Sequence, residues 1–169
     1  SIMQMPCFFT APFWTISEAD RAYGTITSIE HCLKGGGDFI IRIKNKPFNM
    51  YDGQGKKILL SDWLKTLGSE AGEISIYIKS SDKKLVPLRI CARKKTEEEI
   101  TIEEKRLKRL ESKKQTTYSN DTKFTHQFMF VATSLPALVS AEKVLEFYRL
   151  RWQEELIFKR YKSLFGLGN

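Results

Sequence analysis

Tyr148-Arg149-Leu150-Arg151-Trp152-Gln153-Glu154-Glu155, running on through Leu156-Ile157-Phe158-Lys159-Arg160-Tyr161 to Lys162, is the stretch on which the reading of this chain turns. Upstream, Ser140 has the side chain of an N-cap and Glu142 falls in the first turn; no Gly or Pro follows until Gly166. One long helix is therefore expected from Ser140 towards the end of the chain. At about 100° per residue from Tyr148, Arg151 falls at about −60°, Glu155 at about −20° and Lys162 at about −40°, so the four share a narrow face. Val144, Leu145 and Trp152 flank that face, while Leu150, Ile157, Tyr161, Leu164 and three phenylalanines (Phe147, Phe158, Phe165) cover most of the other side. A helix apolar on nearly every side is expected to be largely buried. A carboxylate between two cations on such a helix is either a structural ion pair or part of a functional site.

Composition bounds the partner. The chain has 169 residues, 41% of them hydrophobic and 12% aromatic, enough to bury a real core, and one domain is expected. A net charge of +8 points to an anionic partner. Nucleic acid stands ahead of a membrane surface, because no apolar run reaches ~18 residues. The apolar N-terminal patch has no basic residue before it and is broken by Pro6 and Pro12, which does not fit a signal peptide. Cys7, Cys32 and Cys91 are too widely spaced for a metal knuckle or a disulfide framework and read as reduced, structural cysteines of a cytoplasmic protein. The charge is uneven: residues 44–96 hold twelve Lys or Arg against five acids, whereas residues 97–123 balance seven against seven.

Along the chain, Phe13 to Ser17 suggests a short strand, followed by Asp20-Arg21-Ala22-Tyr23-Gly24 and a helix over Thr25 to Lys34. On the residues alone, Asp20 is an Asx-turn or capping aspartate as readily as a functional one. Gly35-Gly36-Gly37 is a turn, not a phosphate loop, since no Gly-Lys-Ser/Thr follows and the order is helix to strand. His31 beside Cys32 lacks partners at ligand spacing and reads as an ordinary helix residue. Asp38 to Lys44 is a buried strand. Phe48–Tyr51 and Lys56–Leu60 flank Asp52-Gly53-Gln54-Gly55, a hairpin-turn composition, and Ser61 is expected to cap a short helix to Leu67. Glu73–Lys79 alternates, as does a partner strand over Val86–Ala92, which Pro87 predicts to be an edge strand. This small sheet carries most of the basic excess and is read either as a grip on a nucleic-acid backbone or as a soluble surface. Glu97 to Lys114 is an exposed helix, acidic at its start and basic at its end; its Lys105-Arg106-Leu107-Lys108-Arg109 run is a solvated face or a DNA contact. A polar link over Thr116–Asp121, a strand over Phe124–Ala132 and a turn at Thr133-Ser134-Leu135-Pro136 complete the path.

The spacing Tyr-x2-Arg-x3-Glu-x6-Lys, met by Tyr148, Arg151, Glu155 and Lys162 with Arg-Trp-Gln before the Glu and Phe-Lys-Arg after it, resembles the YREK signature of DDE transposases of the insertion-sequence-four group. Asp20-Arg21-x-Tyr23-Gly24 resembles that family's second catalytic aspartate, and Thr133-x-Leu135-Pro136 the turn before its signature helix. The resemblance implies an α/β, ribonuclease H-like core interrupted by a β-rich insertion. Residues 1–43 would be partial core with the second Asp, 44–123 the insertion with a helical arm, and 124–169 the return strand and catalytic-Glu helix. It implies Asp20 and Glu155 as catalytic, metal-binding carboxylates for Mg²⁺, with Mn²⁺ as substitute. Tyr148, Arg151 and Lys162, together with Arg21 and Tyr23, would contact DNA.

The expected activity is metal-dependent cleavage and strand transfer of transposon-end double-stranded DNA, in a bacterial cytoplasm and with self-association during synapsis. The family's first aspartate lies well upstream of the second, and only Glu18 precedes Asp20 here, so the chain is expected to be a fragment lacking that ligand and inactive by itself. A non-catalytic DNA-binding remnant is the alternative; a protein-interaction module is disfavoured by the cations that share the Glu155 face.

Overall fold

Phe39, Ile40 and Ile41 are consecutive and all buried, which a strand achieves only when both its faces are covered. The computed structural model describes residues 16–19, 25–43 and 48–164, with the backbone alone at 16–19, 155, 158, 159 and 162–164. Among these residues the strands are β1 (Ile16–Ala19), β2 (Asp38–Arg42), β3 (Met50–Tyr51), β4 (Lys57–Ile58), β5 (Gly72–Lys79), β6 (Leu85–Lys94) and β7 (Phe128–Thr133). The helices are α1 (Ile26–Lys34), α2 (Leu60–Thr66), α3 (Glu97–Lys114), α4 (Asn120–Thr125) and α5 (Ala141–Leu164). The strands form one mixed sheet in the order β1-β2-β7-β6-β5-β3-β4. Only β1 and β2 run parallel; the other pairs are antiparallel.

Alternation sorts the core into two layers. Phe39, Ile41, Leu88, Ile90, Phe128 and Phe130 share one cluster with Ile29 of α1 and Leu60 and Leu64 of α2. Their sequence neighbours Ile40, Cys91 and Val131 point the other way, into a cluster with Ala141, Val144, Leu145 and Tyr148 of α5. The sheet is thus covered by α1 and α2 on one face and by α5 on the other. Burying a Leu, Ile, Phe or Val contributes about 1.5–3 kcal/mol each, so these paired layers dominate the fold's stability.

Local signals set the elements they touch. Thr25 caps α1 by accepting from the Ser28 N–H at 3.3 Å, and Gly36, at φ 72°, turns the chain out of the helix where a side chain would be strained. The Asp52 carboxylate accepts from the N–H groups of Gln54 and Lys56 at 2.9 and 2.8 Å, closing the β3–β4 turn with Gly55 at φ 80°. Thr96 and Glu99 form a reciprocal capping box that fixes the start of α3.

Four expectations are corrected by longer-range packing. Ser61 lies inside α2 and is buried; Leu59 is the residue before the helix and makes no side-chain cap bond. Pro87 does not mark an edge strand, since β6 lies between β5 and β7. It pairs with Tyr77 on one side, and the β7 ladder begins only at Arg89, so no neighbour there needs the missing N–H. The strand expected from Phe124 begins at Phe128, because Ser119 caps α4 by accepting from the Thr122 N–H at 3.2 Å and Phe124 packs on Phe128 with ring centroids 5.3 Å apart. And α5 is not buried along its whole length: Leu150, Trp152, Ile157 and Tyr161 are each about half exposed. Of the strand expected over Phe13–Ser17, Ile16 and Ser17 fall in β1, which runs on to Ala19, and residues 13–15 lie outside the described residues.

Candidate functional site

The site is approached through the turn that launches α5. Thr133, the last residue of β7, donates its hydroxyl to the Phe39 carbonyl at 2.7 Å and accepts from the Leu135 N–H at 3.1 Å. Ser134 donates its hydroxyl to Asp38 at 2.8 Å and accepts from the Phe39 N–H at 3.1 Å. Three of these four bonds stitch the turn to the start of β2, and the fourth closes the turn on itself. Arg89 of β6 reaches the same turn from the other side. Its Nη1 donates to the carbonyls of Leu135 and Pro136 at 2.8 and 2.6 Å; its Nη2 donates to the Val139 carbonyl at 3.0 Å and to the Glu73 carboxylate. Ser140 then opens the helix: its hydroxyl accepts from the Lys143 N–H at 3.4 Å and its carbonyl from the Val144 N–H at 3.0 Å.

The 24-residue helix α5 has two unlike halves. From Ala141 to Tyr148 its sheet-facing side is buried, Val144 completely. From Leu150 onward the described side chains, except the half-buried Leu156, are exposed, Arg151 and Glu154 among them. Tyr148 is only 5% exposed and belongs to the core beneath α5. Glu155 and Lys162 are on the helix, with side chains outside the description, and Asp20, Arg21 and Tyr23 lie outside the described residues altogether. What the structure does bring together is their carriers. β1, which ends one residue before Asp20, pairs with β2 in register from Ile16↔Asp38 to Ala19↔Ile41, and α5 packs over β2. Ile40 stands opposite Glu18 in that ladder and joins the α5 cluster with its own side chain.

The electrostatics around this frame are polarised. Glu146 on α5 is held below the usual carboxylate range by its hydrogen bond from Lys143 at 2.9 Å. Cys91, under the helix, is pushed up to about 11 by burial, which leaves it an inert thiol at neutral pH and fits the structural reading of the cysteines. Cys32 donates to the carbonyls of Gly37 and Asp38 at 3.7 and 3.5 Å, and its neighbour His31 is exposed on α1. Among the described residues no group of three or more His, Cys, Asp or Glu side chains is placed to hold a metal ion, and no helix is long and apolar enough to cross a membrane.

Sequence reasoning missed Arg89. Its signal was a lone cation inside Leu88-Arg89-Ile90-Cys91-Ala92, a run in which every neighbour is a core residue. A charged side chain in such a run is retained only where several acceptors meet it.

Residues 16–169 match the family model described as Transposase DDE domain. The chain is 31% identical over 159 residues to the transposase for insertion sequence element IS421 of Escherichia coli, covering 88% of this chain and 42% of that protein. It is 36% identical over 113 residues to the transposase for IS231E of Bacillus thuringiensis subsp. finitimus, covering 66% of this chain and 23% of that protein. With the transposase for IS231C of B. thuringiensis subsp. berliner the figures are 40% over 80 residues, 47% and 17%. The chain therefore spans about two fifths of the length of the relative it matches most extensively here. With the mixed sheet, the helices on both its faces and a match that runs from β1 through α5, the chain belongs to the DDE transposase domain family, of ribonuclease H-like α/β fold.

Proposed function

We propose that this chain is the part of an insertion-sequence-four-type transposase core that contributes Asp20 and Glu155 as metal-binding carboxylates for cleavage and strand transfer of transposon-end DNA. The observation that carries this reading is the shared strand: β1 leads to Asp20 alongside β2, and α5, which bears Glu155, packs over β2. DDE transposases use divalent metal ions. Two carboxylates supply hard oxygen donors, which suit Mg²⁺, with Mn²⁺ as substitute. The chemistry supplied by such bound ions is activation of the attacking oxygen and stabilisation of the leaving oxygen in line.

The chain's own residues position the DNA around that point. Arg151, exposed on α5, offers a planar fork to a phosphate. Lys162, about three turns further along, acts as a point charge on the backbone. Tyr148 keeps its ring in the core and contributes its hydroxyl to a phosphate oxygen. Arg21 and Tyr23 flank Asp20 and contact the same strand. The exposed lysines of residues 44–96 grip the duplex backbone. We retain residues 1–43 and 124–169 as core and 44–123 as an insertion, whose strands β5 and β6 extend the core sheet. Two copies would associate when two ends synapse.

The test is Mg²⁺-dependent cleavage of transposon-end DNA by the full-length protein that contains this chain, with and without Glu155→Ala. Loss of cleavage with retained DNA binding is expected. Equal cleavage by the variant overturns the role of Glu155, and binding without cleavage by the wild type leaves a DNA-binding remnant instead.

A further inference from the structure

We propose that Arg89 is the positioning residue for the signature helix: by clamping the turn from which α5 springs, it sets where Arg151 and Glu155 stand relative to β2. The inference rests on the transposase reading for its functional consequence and on the geometry for the clamp itself.

Arg89 is 7% exposed, and four of its five N–H donors are used at once on Leu135, Pro136, Val139 and Glu73, while Nε is buried with no hydrogen-bond partner. Three of those acceptors are carbonyls of one five-residue segment, Leu135–Val139, that belongs to neither β7 nor α5. A fork that holds three carbonyls fixes the path of that segment as well as its location. Glu73, on β5, accepts from the same Nη2 that reaches Val139, so the turn is referenced to the two adjacent strands β5 and β6. An apolar side chain of the same volume would leave three carbonyls and the Glu73 carboxylate without this donor. What the arginine adds is direction.

Direction matters because α5 is a lever. Ser140 and Glu155 are 15 residues apart, roughly 22 Å of helix at 1.5 Å per residue. A tilt of roughly 3° at the turn therefore moves the Glu155 backbone by roughly 1 Å, a misplacement that can cost on the order of 100-fold in rate. The sheet packing that resists such a tilt is concentrated in the first two turns, Ala141 to Tyr148, and beyond them Leu150, Trp152, Ile157 and Tyr161 are about half exposed.

Arg89→Lys keeps the charge and loses the fork. In the full-length protein it is expected to lower kcat for Mg²⁺-dependent end cleavage by about 10- to 100-fold, with KM for DNA within about twofold. A matched control is Ile78→Val or Ile78→Ala, whichever equals it in thermal midpoint; Ile78 lies in the core cluster on the other face of the sheet and should leave kcat nearly unchanged. In parallel, amide exchange along residues 141–155 should accelerate in Arg89→Lys and not in the Ile78 control. Unchanged kcat, or an equal loss in both variants, overturns the proposal. Should the wild-type protein show no cleavage, the transposase reading fails by itself, and the exchange measurement decides the clamp: acceleration confined to α5 upholds it, unchanged exchange overturns it. Should Arg89→Lys fail to fold, Glu73→Gln keeps an acceptor and removes the charge. A loss of about threefold to tenfold in kcat, with the same exchange pattern, is then expected, and wild-type behaviour overturns the proposal.

Discussion

Ser81, in the turn between β5 and β6, donates both its backbone N–H and its hydroxyl to the carboxylate of Glu30 on α1, at 2.6 and 2.8 Å. The two residues are 51 positions apart in sequence, so this contact ties the lysine-bearing hairpin to the helix that follows Asp20. The backbone hydrogen bond, followed by that of the Ser81 hydroxyl, holds the Glu30 carboxyl below its usual range. A lowered folded-state value means that the link is complete above the ordinary glutamate range and is lost as pH falls through the lowered one. The Ser81 amide resonance should titrate with an apparent pKa below that of an unperturbed glutamate, and Glu30→Ala should remove the titration and speed exchange at Ser81.

Glu103 is the centre of a second network. His126 Nδ1 lies 2.8 Å from it, Arg106 forks onto it through Nε and Nη2, and Lys95 stands 3.8 Å away. Burial opposes its charge, yet the hydrogen bonds from His126 and Arg106 and the charges of Lys95 and Arg106 outweigh burial and hold the carboxyl far below the usual range. The stabilisation is therefore complete above about pH 4.3, the ordinary glutamate value, and is lost progressively as pH falls below it. Glu103→Gln should cost about 2 kcal/mol at neutral pH by leaving the nearly buried Lys95 ammonium without its counter-charge. Urea titrations at pH 7 and pH 3 check this, since the gap between wild type and variant should narrow at the lower pH.

Leu145 of α5 is 4% exposed against the sheet. Leu145→Ala should destabilise the chain by about 2–5 kcal/mol, at about 2–4 °C of thermal midpoint per kcal/mol. Leu150→Ala, at a position 48% exposed, should change stability by less than about 1 kcal/mol. Calorimetry on the two variants tests directly that the helix is anchored by its first half.

Much of this pattern was legible where the cause is local. The Asp52 turn and the Gly35–Gly37 exit from α1 each depend on residues close by in sequence, and each fell where the sequence put it. The start of α3 at Glu97 is legible in its acidic first turn, while the Thr96–Glu99 box that fixes it emerges only in the structure. The Ser140 start of α5 was equally readable, because a cap needs nothing beyond its own first turn. What escaped depends on partners far along the chain. The interior place of β6 follows from the ladder between Arg89–Lys94 and Phe128–Thr133, and a proline that usually marks an edge is tolerated because that ladder stops short of it. Tyr148 and Arg151 share a helical face by angle alone, yet one is in the core and the other is exposed, because the sheet supports α5 only up to Tyr148. Of the candidate site, Tyr148 and Arg151 are seen with their side chains. The metal-binding roles proposed for Asp20 and Glu155 rest on the signature and on the strand their carriers share.

Lys83 and Lys84 are exposed beside Ser81, with Lys83 at a positive φ of 61°. If the hairpin grips duplex backbone, each phosphate contact contributes about 0.9 to the slope of log K against log salt. Neutralising both lysines should lower that slope by about 2 and weaken binding to unrelated sequences as much as to transposon ends. Fluorescence anisotropy across a salt series measures both effects, and an unchanged slope would remove these two lysines from the contact.

At the far side of the sheet, β4 contributes only two residues, Lys57 and Ile58, and comes directly out of a glycine-bearing turn through Lys56. Its free ladder offers another chain almost nothing to pair with, and any strand laid against it would bring its own backbone beside two ammonium groups. Along this border the β-structure is self-terminating: concentrated solutions should not extend the sheet from molecule to molecule through β4, and the lysines that make the surface attractive to a polyanion also keep copies of the protein from stacking there.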